Sequence, residues 1–148
     1  GRVTPVAQAD TGTSYVVVGP SIPSVYSKGG LVAPDLLQSG SDIKKLQVNS
    51  AKIAGPVYGG VIGHANGTTR TQVLAPNIRR VYGALSVNGK FVAGFDANGD
   101  PDYSGAIQQI ATQAGKGTIR GEAHLSPTAP DIKFRPEVND MVVYTSAP

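Results

Sequence analysis

Short apolar runs separated by clusters of Gly, Pro, Asn and Ser recur along the whole chain. Within many runs apolar and polar residues alternate, which is typical of half-buried β-strands. The residues that end the runs are the usual residues of tight turns. The pattern therefore predicts an all-β protein, with strands over residues 2–9, 15–18, 56–62, 69–74, 90–96, 117–125 and 141–144.

Three segments lack the clear strand-like alternation of the others. Residues 33–38 fit one helical turn that begins with Pro34, since Pro is tolerated at the first helical position. Residues 77–87 have apolar side chains at spacings of three and four, which predicts a short amphipathic helix or a turn that leads into one. Residues 104–111 fit either a helix or a strand, and no internal repeat is evident along the chain.

Pairs of turn-forming residues predict where the chain reverses. Asn49-Ser50 lies between two alternating segments and predicts a β-hairpin over residues 46–53. Asn66-Gly67 and Asn98-Gly99 are residue pairs that favour two-residue hairpin turns. Residues 96–102 also resemble the opening of a calcium-binding loop. Pro and Ile stand where that loop needs Gly and Glu, so a hairpin turn is favoured there.

Composition bounds the size and the chemistry of the protein. The chain has 148 residues, with 19 Gly, 11 Pro and no Cys. This length fits one domain over residues 1–148, with a core over about residues 3–100 and C-terminal strands of open placement over residues 104–148. The absence of Cys excludes disulfides, thiol catalysis and zinc–thiolate sites. No apolar run is long enough to span a membrane and no targeting segment is recognisable, so no membrane partner is expected.

Charge and histidine content argue against two further classes. The net charge is +3, only 16% of residues are charged, and the basic residues are dispersed. A nucleic-acid-binding protein would need a denser basic cluster with interleaved aromatic residues, so no nucleic-acid partner is expected. His64 and His124 are isolated, and neither has the spacing of a metal-ligand pair.

The segment around Asp10 concentrates the candidate chemistry. A small-residue approach leads to Asp10-Thr11-Gly12, which Thr13 and a β-branched apolar run follow. Gly12 permits positive φ or a close backbone approach, and the two Thr residues supply hydroxyl groups. A carboxylate in such a polar turn between apolar segments is a candidate catalytic group. The alternative is an ordinary polar β-turn, which favours the same residue types.

Asp10-Thr11-Gly12 resembles the catalytic Asp-Thr/Ser-Gly turn of aspartic proteases. Because the motif occurs once, the chain looks most like the retropepsins, in which a homodimer supplies the second Asp. Val81-Tyr82-Gly83 resembles the hydrophobic pair and Gly that pack behind the catalytic turn in that family and lead into a helix. The order of residues 71–78, 85–87 and 91–96 is similar to that in the protease of Copia-type LTR retrotransposons. The resemblance covers residues 6–99.

This resemblance implies a retropepsin-like closed β-barrel or sandwich with one or two short helices. It implies a homodimeric aspartic endopeptidase that processes a retroelement polyprotein, acts on extended peptides and needs no cofactor. Two Asp10 carboxylates would share a proton and activate a water. The implied location is the cytoplasm or a virus-like particle. The implied catalytic residues are Asp10, Thr11, Gly12 and Thr13, and the implied flap and pocket residues are Val48, Asn49, Ser50, Ala51, Val81, Tyr82 and Gly83.

The competing class is a non-enzymatic β-rich structural protein, such as a virion or extracellular filament subunit. Low charge, abundant Gly, Thr and Val, and the absence of Cys and Trp all suit it. A carbohydrate-binding module is a weaker alternative, because Trp is absent and the six Tyr residues show no platform spacing.

Overall fold

The computed structural model describes residues 2–3, 16–27, 36–48, 61–62, 71–113, 117–135 and 140–145. These ranges form strands and connecting turns, and they contain no helix. In chain order the strands of the described ranges are β1 (Arg2–Val3), β2 (Val16–Gly19), β3 (Ser24–Ser27), β4 (Leu36–Ser39), β5 (Lys45–Val48), β6 (Val61–Ile62), β7 (Thr71–Ala75), β8 (Ile78–Gly83), β9 (Ser86–Ala93), β10 (Ile107–Thr112), β11 (Ile119–His124), β12 (Lys133–Arg135) and β13 (Asp140–Tyr144).

The strands form two sheets, and every ladder between them is parallel. Sheet A has the spatial order β1-β3-β5-β8-β10-β12, and sheet B has the order β13-β11-β9-β7-β4-β2. Strand β6 pairs with the first residues of β9. Apart from β6 and β7, successive strands alternate between the sheets. We call one passage of the chain through both sheets a circuit, and each circuit therefore adds one strand to each sheet. This is the architecture of a two-sheet parallel β-solenoid.

The core lies between the sheets and consists of columns of apolar side chains. Register pairing stacks Ile43, Ile78 and Ile107 in one column of sheet A. Each of these residues is at most 1% exposed. Val73 and Phe91 belong to the facing column of sheet B and are fully buried. Burial of each such side chain contributes about 1.5–3 kcal/mol to folding, so the columns hold successive circuits in register.

The all-β prediction is confirmed, and several strands are confirmed individually. Residues predicted as strands at 15–18, 69–74, 117–125 and 141–144 correspond to β2, β7, β11 and β13. The ambiguous segment 104–111 contributes β10.

The predicted helix over residues 77–87 is wrong. Strand β8 occupies the first part, a corner follows at Ala84 and Leu85, and β9 begins at Ser86. The spacing of three arises within β8 itself, where Ile78 and Val81 are both fully buried although a regular strand would bury alternate residues. The helical turn predicted over 33–38 is also wrong in its described part, since residues 36–38 belong to β4.

The predicted hairpin over residues 46–53 is wrong for its first arm. Strand β5 pairs in parallel with β3 on one side and with β8 on the other. Because both edges of residues 46–48 are occupied, they cannot also pair with a returning antiparallel strand. Residues 49–53 and the Asn66-Gly67 turn lie outside the described residues.

The turn at Asn98-Gly99 is confirmed. The Gly99 N–H donates a hydrogen bond of 3.0 Å to the carbonyl oxygen of Asp96. Gly99 has a φ of 84°, a conformation that strongly favours Gly. Phe95 and Pro101 form an antiparallel bridge across the turn.

Candidate functional site

All four predicted catalytic residues and three of the predicted flap residues lie outside the described residues: Asp10, Thr11, Gly12, Thr13, Asn49, Ser50 and Ala51. Val48, Val81, Tyr82 and Gly83 are described, and they lie together on two neighbouring strands of sheet A. Val48 is the register partner of Gly83, and its carbonyl oxygen accepts a hydrogen bond of 3.0 Å from the Ala84 N–H.

These four residues have different surroundings, which indicate different roles. Val48 and Val81 are fully buried in the core, and Tyr82 lies half-buried on the outer face of sheet A. A Cβ at Gly83 would collide with the carbonyl oxygen of Ser86, so the Gly permits the close corner between β8 and β9. Val81 and Gly83 thus act in packing, and Tyr82 alone of the four offers a surface group.

A polar cleft of about 550 Å³ lies on the outer face of sheet A. Its lining includes three cations, two amides and one carboxylate: Arg79, Arg80, Gln108, Gln109, Asp131 and Lys133. Arg80, Gln109 and Lys133 are register partners on β8, β10 and β12, so their backbones form one row across three strands. Adjacent strands are about 4.8 Å apart, and the row therefore projects its side chains side by side.

A side-chain network at one corner of the solenoid positions the strands that carry the cleft. Asn77 precedes β8, and its Oδ1 accepts a hydrogen bond of 2.8 Å from the Ala106 N–H just before β10. Its Nδ2 donates to Asp42 Oδ1 of the preceding circuit at 3.0 Å. The Asn77 carbonyl also accepts from the Ile43 N–H at 3.0 Å. One amide side chain thus joins three successive corners.

Cations outnumber carboxylates among the described lining residues of the cleft, since Asp131 opposes Arg79, Arg80 and Lys133. The Arg80 guanidinium lies 5.4 Å from the centroid of the Tyr82 ring, within the range of a cation–π contact. Arg80 Nε is buried and has no hydrogen-bond partner among the described residues. Sequence reasoning missed this site because its members come from three separate strands. The signal in the sequence was the adjacent pairs Arg79-Arg80 and Gln108-Gln109.

A second cluster, formed by three rings, lies on the outer face of sheet B. His124 is 5% exposed, and its ring stacks on Tyr144 with centroids 4.6 Å apart. Tyr103 covers it from the segment between β9 and β10, at a centroid distance of 5.4 Å. Both ring nitrogens of His124 are buried without a hydrogen-bond partner in the described structure. Burial lowers the pKa of His124, because desolvation disfavours the charged ring.

The carboxylates of residues 96–102 stabilise the turn itself. Asp96 Oδ1 accepts hydrogen bonds from the backbone N–H groups of Asn98 and Asp100, at 2.9 and 3.0 Å. Asp102 Oδ1 likewise accepts from the N–H and the hydroxyl of Ser104. Within the described ranges, no group of three or more His, Asp or Glu residues is placed to hold a metal ion.

Comparisons with known proteins give no relative for this chain. No family model, curated protein or solved structure matches it. In the part of the chain that the structure describes, no helix has the length and apolar character needed to cross a membrane.

Proposed function

We propose that the chain is a non-enzymatic structural protein, a β-solenoid module that associates end to end with a second copy of itself. The observation that carries this proposal is the apolar, unpaired last circuit of the solenoid. It agrees with the structural alternative that the composition favours.

The last circuit consists of β12 and β13, each of which ends its sheet in the described structure. Val142 and Tyr144 of β13 are 47% and 38% exposed. Between the two strands an apolar cavity of about 240 Å³ is lined by Leu125, Phe134 and Val143 among others. At the opposite end of sheet B, Val18 of β2 is 62% exposed. Both ends of sheet B therefore present apolar groups on strands that have no further partner among the described strands.

Unpaired edge strands are templates for pairing with another chain, because their N–H and C=O groups lack partners. A second copy that places its first circuit on this last circuit would continue both sheets and cover the cavity. Such a head-to-tail contact repeats from copy to copy and forms a filament unless a ring closes. These properties match a filament or virion subunit better than an isolated module.

Sedimentation velocity across a concentration series tests the proposal, with Val142→Lys as the disrupting variant. We expect the wild-type chain to form species larger than a monomer as concentration rises. Val142→Lys should shift the population towards monomer, because a charge on an exposed edge strand opposes pairing. Ala97→Lys adds the same charge at the exposed 96–102 turn and should leave association unchanged. A wild-type chain that stays monomeric throughout would contradict the proposal.

A retropepsin-like barrel and aspartic endopeptidase activity are the second hypothesis. The Asp10-Thr11-Gly12 motif favours it, and that segment lies outside the described residues. Incubating the same samples with a mixed peptide library at acidic and neutral pH, with and without pepstatin, separates the two functions. The structural proposal expects no cleavage. Cleavage that pepstatin and Asp10→Asn both abolish would replace it with the protease.

A further inference from the structure

We infer that the outer cleft of sheet A binds an acidic oligosaccharide, an extended chain of sugars that carries carboxylate or sulfate groups. The cleft combines a row of cations with amide and carboxylate groups that recognise hydroxyls. The cleft opens on the face of sheet A and reaches the last circuit, since Lys133 belongs to β12 and Asp131 also lines the apolar end cavity.

Two of the three cleft cations, Arg80 and Lys133, belong to a row of side chains that suits an extended ligand. Arg80, Gln109 and Lys133 are aligned across β8, β10 and β12. Lys45 continues the row on β5, because it precedes the register pair of Leu46 and Val81 by one residue. Four adjacent strands span about 14 Å, so the row is longer than a single phosphate or sulfate ion. A chain with several acidic groups can contact the whole row.

The uncharged and acidic members of the cleft select against a uniformly anionic polymer. Gln108 and Gln109 offer amide groups that both donate and accept hydrogen bonds. Asp131 adds a carboxylate that only accepts, so it binds hydroxyl donors and repels phosphates. A sugar acid presents acidic groups to Arg80 and Lys133 and hydroxyl groups to Asp131. Polyphosphate or a nucleic-acid backbone has few hydroxyl donors to offer this carboxylate.

The described lining of the cleft does not include the flat aromatic platform on which many sugar sites stack their ligand. Tyr82 is half-buried beside the row, and the Arg80 guanidinium lies over its ring. The contact limits the conformations of Arg80 before any ligand arrives, which lowers the entropic cost of binding. Charge and hydroxyl recognition thus replace the stacking surface whose absence argued against carbohydrate binding at the level of sequence.

Isothermal titration calorimetry with defined oligosaccharides tests the inference. The probes are a hexamer of galacturonic acid, its fully methyl-esterified form, a heparin-derived hexasaccharide and inorganic polyphosphate of similar length. We expect at least one acidic hexasaccharide to bind and the neutral ester not to bind. Arg80→Gln and Lys133→Gln should each weaken that binding by about tenfold, as expected for loss of a charge-assisted hydrogen bond. Arg120→Gln, the matched control, removes the same charge from exposed β11 and should leave affinity unchanged.

Asp131→Asn separates a sugar site from a general anion site. We expect this substitution to lower the affinity for the acidic hexasaccharide, because it removes the carboxylate that accepts hydrogen bonds from hydroxyl groups. It should raise the affinity for polyphosphate, because it removes a negative charge that repels phosphates. The inference is overturned if neither acidic hexasaccharide binds, or if Arg120→Gln weakens binding as much as Lys133→Gln. Polyphosphate that binds more tightly than both hexasaccharides would overturn it too and would assign the cleft to phosphate polymers.

Discussion

His124 shows how burial at a single residue makes stability depend on pH. Its ring lies between Tyr103 and Tyr144, and neither of its nitrogens is hydrogen-bonded within the described structure. Desolvation is the largest cause that lowers its pKa. The charge of Glu122 opposes this shift, and the charge of Lys90 adds to it. The folded protein therefore holds the neutral ring, whereas the unfolded chain titrates near the ordinary value of 6.5.

We predict that acidification destabilises the protein through this residue. Above pH 6.5 the ring is neutral in both states, so its contribution to stability is complete. As the pH falls below 6.5, the unfolded chain binds the proton first, and the free energy of unfolding decreases until the folded pKa is passed. The slope from one such group is at most about 1.4 kcal/mol per pH unit. Urea denaturation between pH 8 and pH 5 measures it.

His124→Phe is the control, because Phe retains a ring between the two tyrosines but does not titrate. The unfolding free energy of wild type minus that of the variant should decrease as the pH falls below 6.5. All other titrating groups, His64 included, are common to both proteins and cancel in that difference. A difference that is constant from pH 8 to pH 5 would show that His124 is not responsible.

At the scale of elements, Asn77 determines how neighbouring circuits stack. Its amide accepts from Ala106 and donates to Asp42 across the corner that precedes β8 and β10. We predict that Asn77→Ala lowers the free energy of unfolding by about 2 kcal/mol, because the half-buried Ala106 N–H loses its acceptor. Denaturant titration at neutral pH provides the measurement.

Asp42→Ala is the matched comparison at the same corner. It removes one exposed hydrogen bond and leaves the acceptor of the Ala106 N–H in place, so its cost should be below about 1 kcal/mol. Equal losses for the two variants would mean that the Ala106 contact contributes nothing of its own.

The strands that the sequence predicted correctly are those whose alternation runs uninterrupted between clear turn residues. Residues 117–125 alternate without a break and form β11. The prediction for residues 77–87 failed because β8 buries Ile78 and Val81, three residues apart, and so lacks the alternation of a regular strand. Their neighbours on other circuits, which supply the strand pairing, are far away in sequence. The spacing of apolar residues along 77–87 therefore could not distinguish a strand followed by a corner from a turn of helix.

At the scale of the whole molecule, the solenoid escaped prediction because its circuits have unequal lengths. The register partners Ser24 and Lys45 are 21 residues apart, whereas Leu36 and Gln72 are 36 apart. No fixed period exists for a sequence repeat to reveal. The cleft was hidden for the same reason, since Arg80, Gln109 and Lys133 meet only through strand register. The Asp10 segment, the strongest local motif, lies outside the described residues and stays a prediction.

Stacked circuits also determine how the molecule should unfold. Each circuit of a solenoid contacts mainly its neighbours, so local stability depends on position along the stack. Strands β8 and β9 have circuits on both sides, while β12 and β13 have one on a single side. We predict that amide hydrogen exchange is slowest in β8 and β9 and fastest in the end strands, β12 and β13 at one end and β1 and β2 at the other, because end circuits open without the rest of the stack.

Phe134→Ala tests this gradient by weakening one end of the stack. Phe134 is partly buried against the core and belongs to the last circuit. Mass-spectrometric hydrogen exchange should show faster exchange in β12 and β13 of the variant, a smaller change in β10 and β11, and little change in β7 and β8. Ile78→Ala, placed in the middle of the buried isoleucine column, should instead speed exchange on both sides of β8. If Phe134→Ala accelerated exchange equally in every strand, the protein would unfold as one cooperative unit, and end-circuit opening would be excluded.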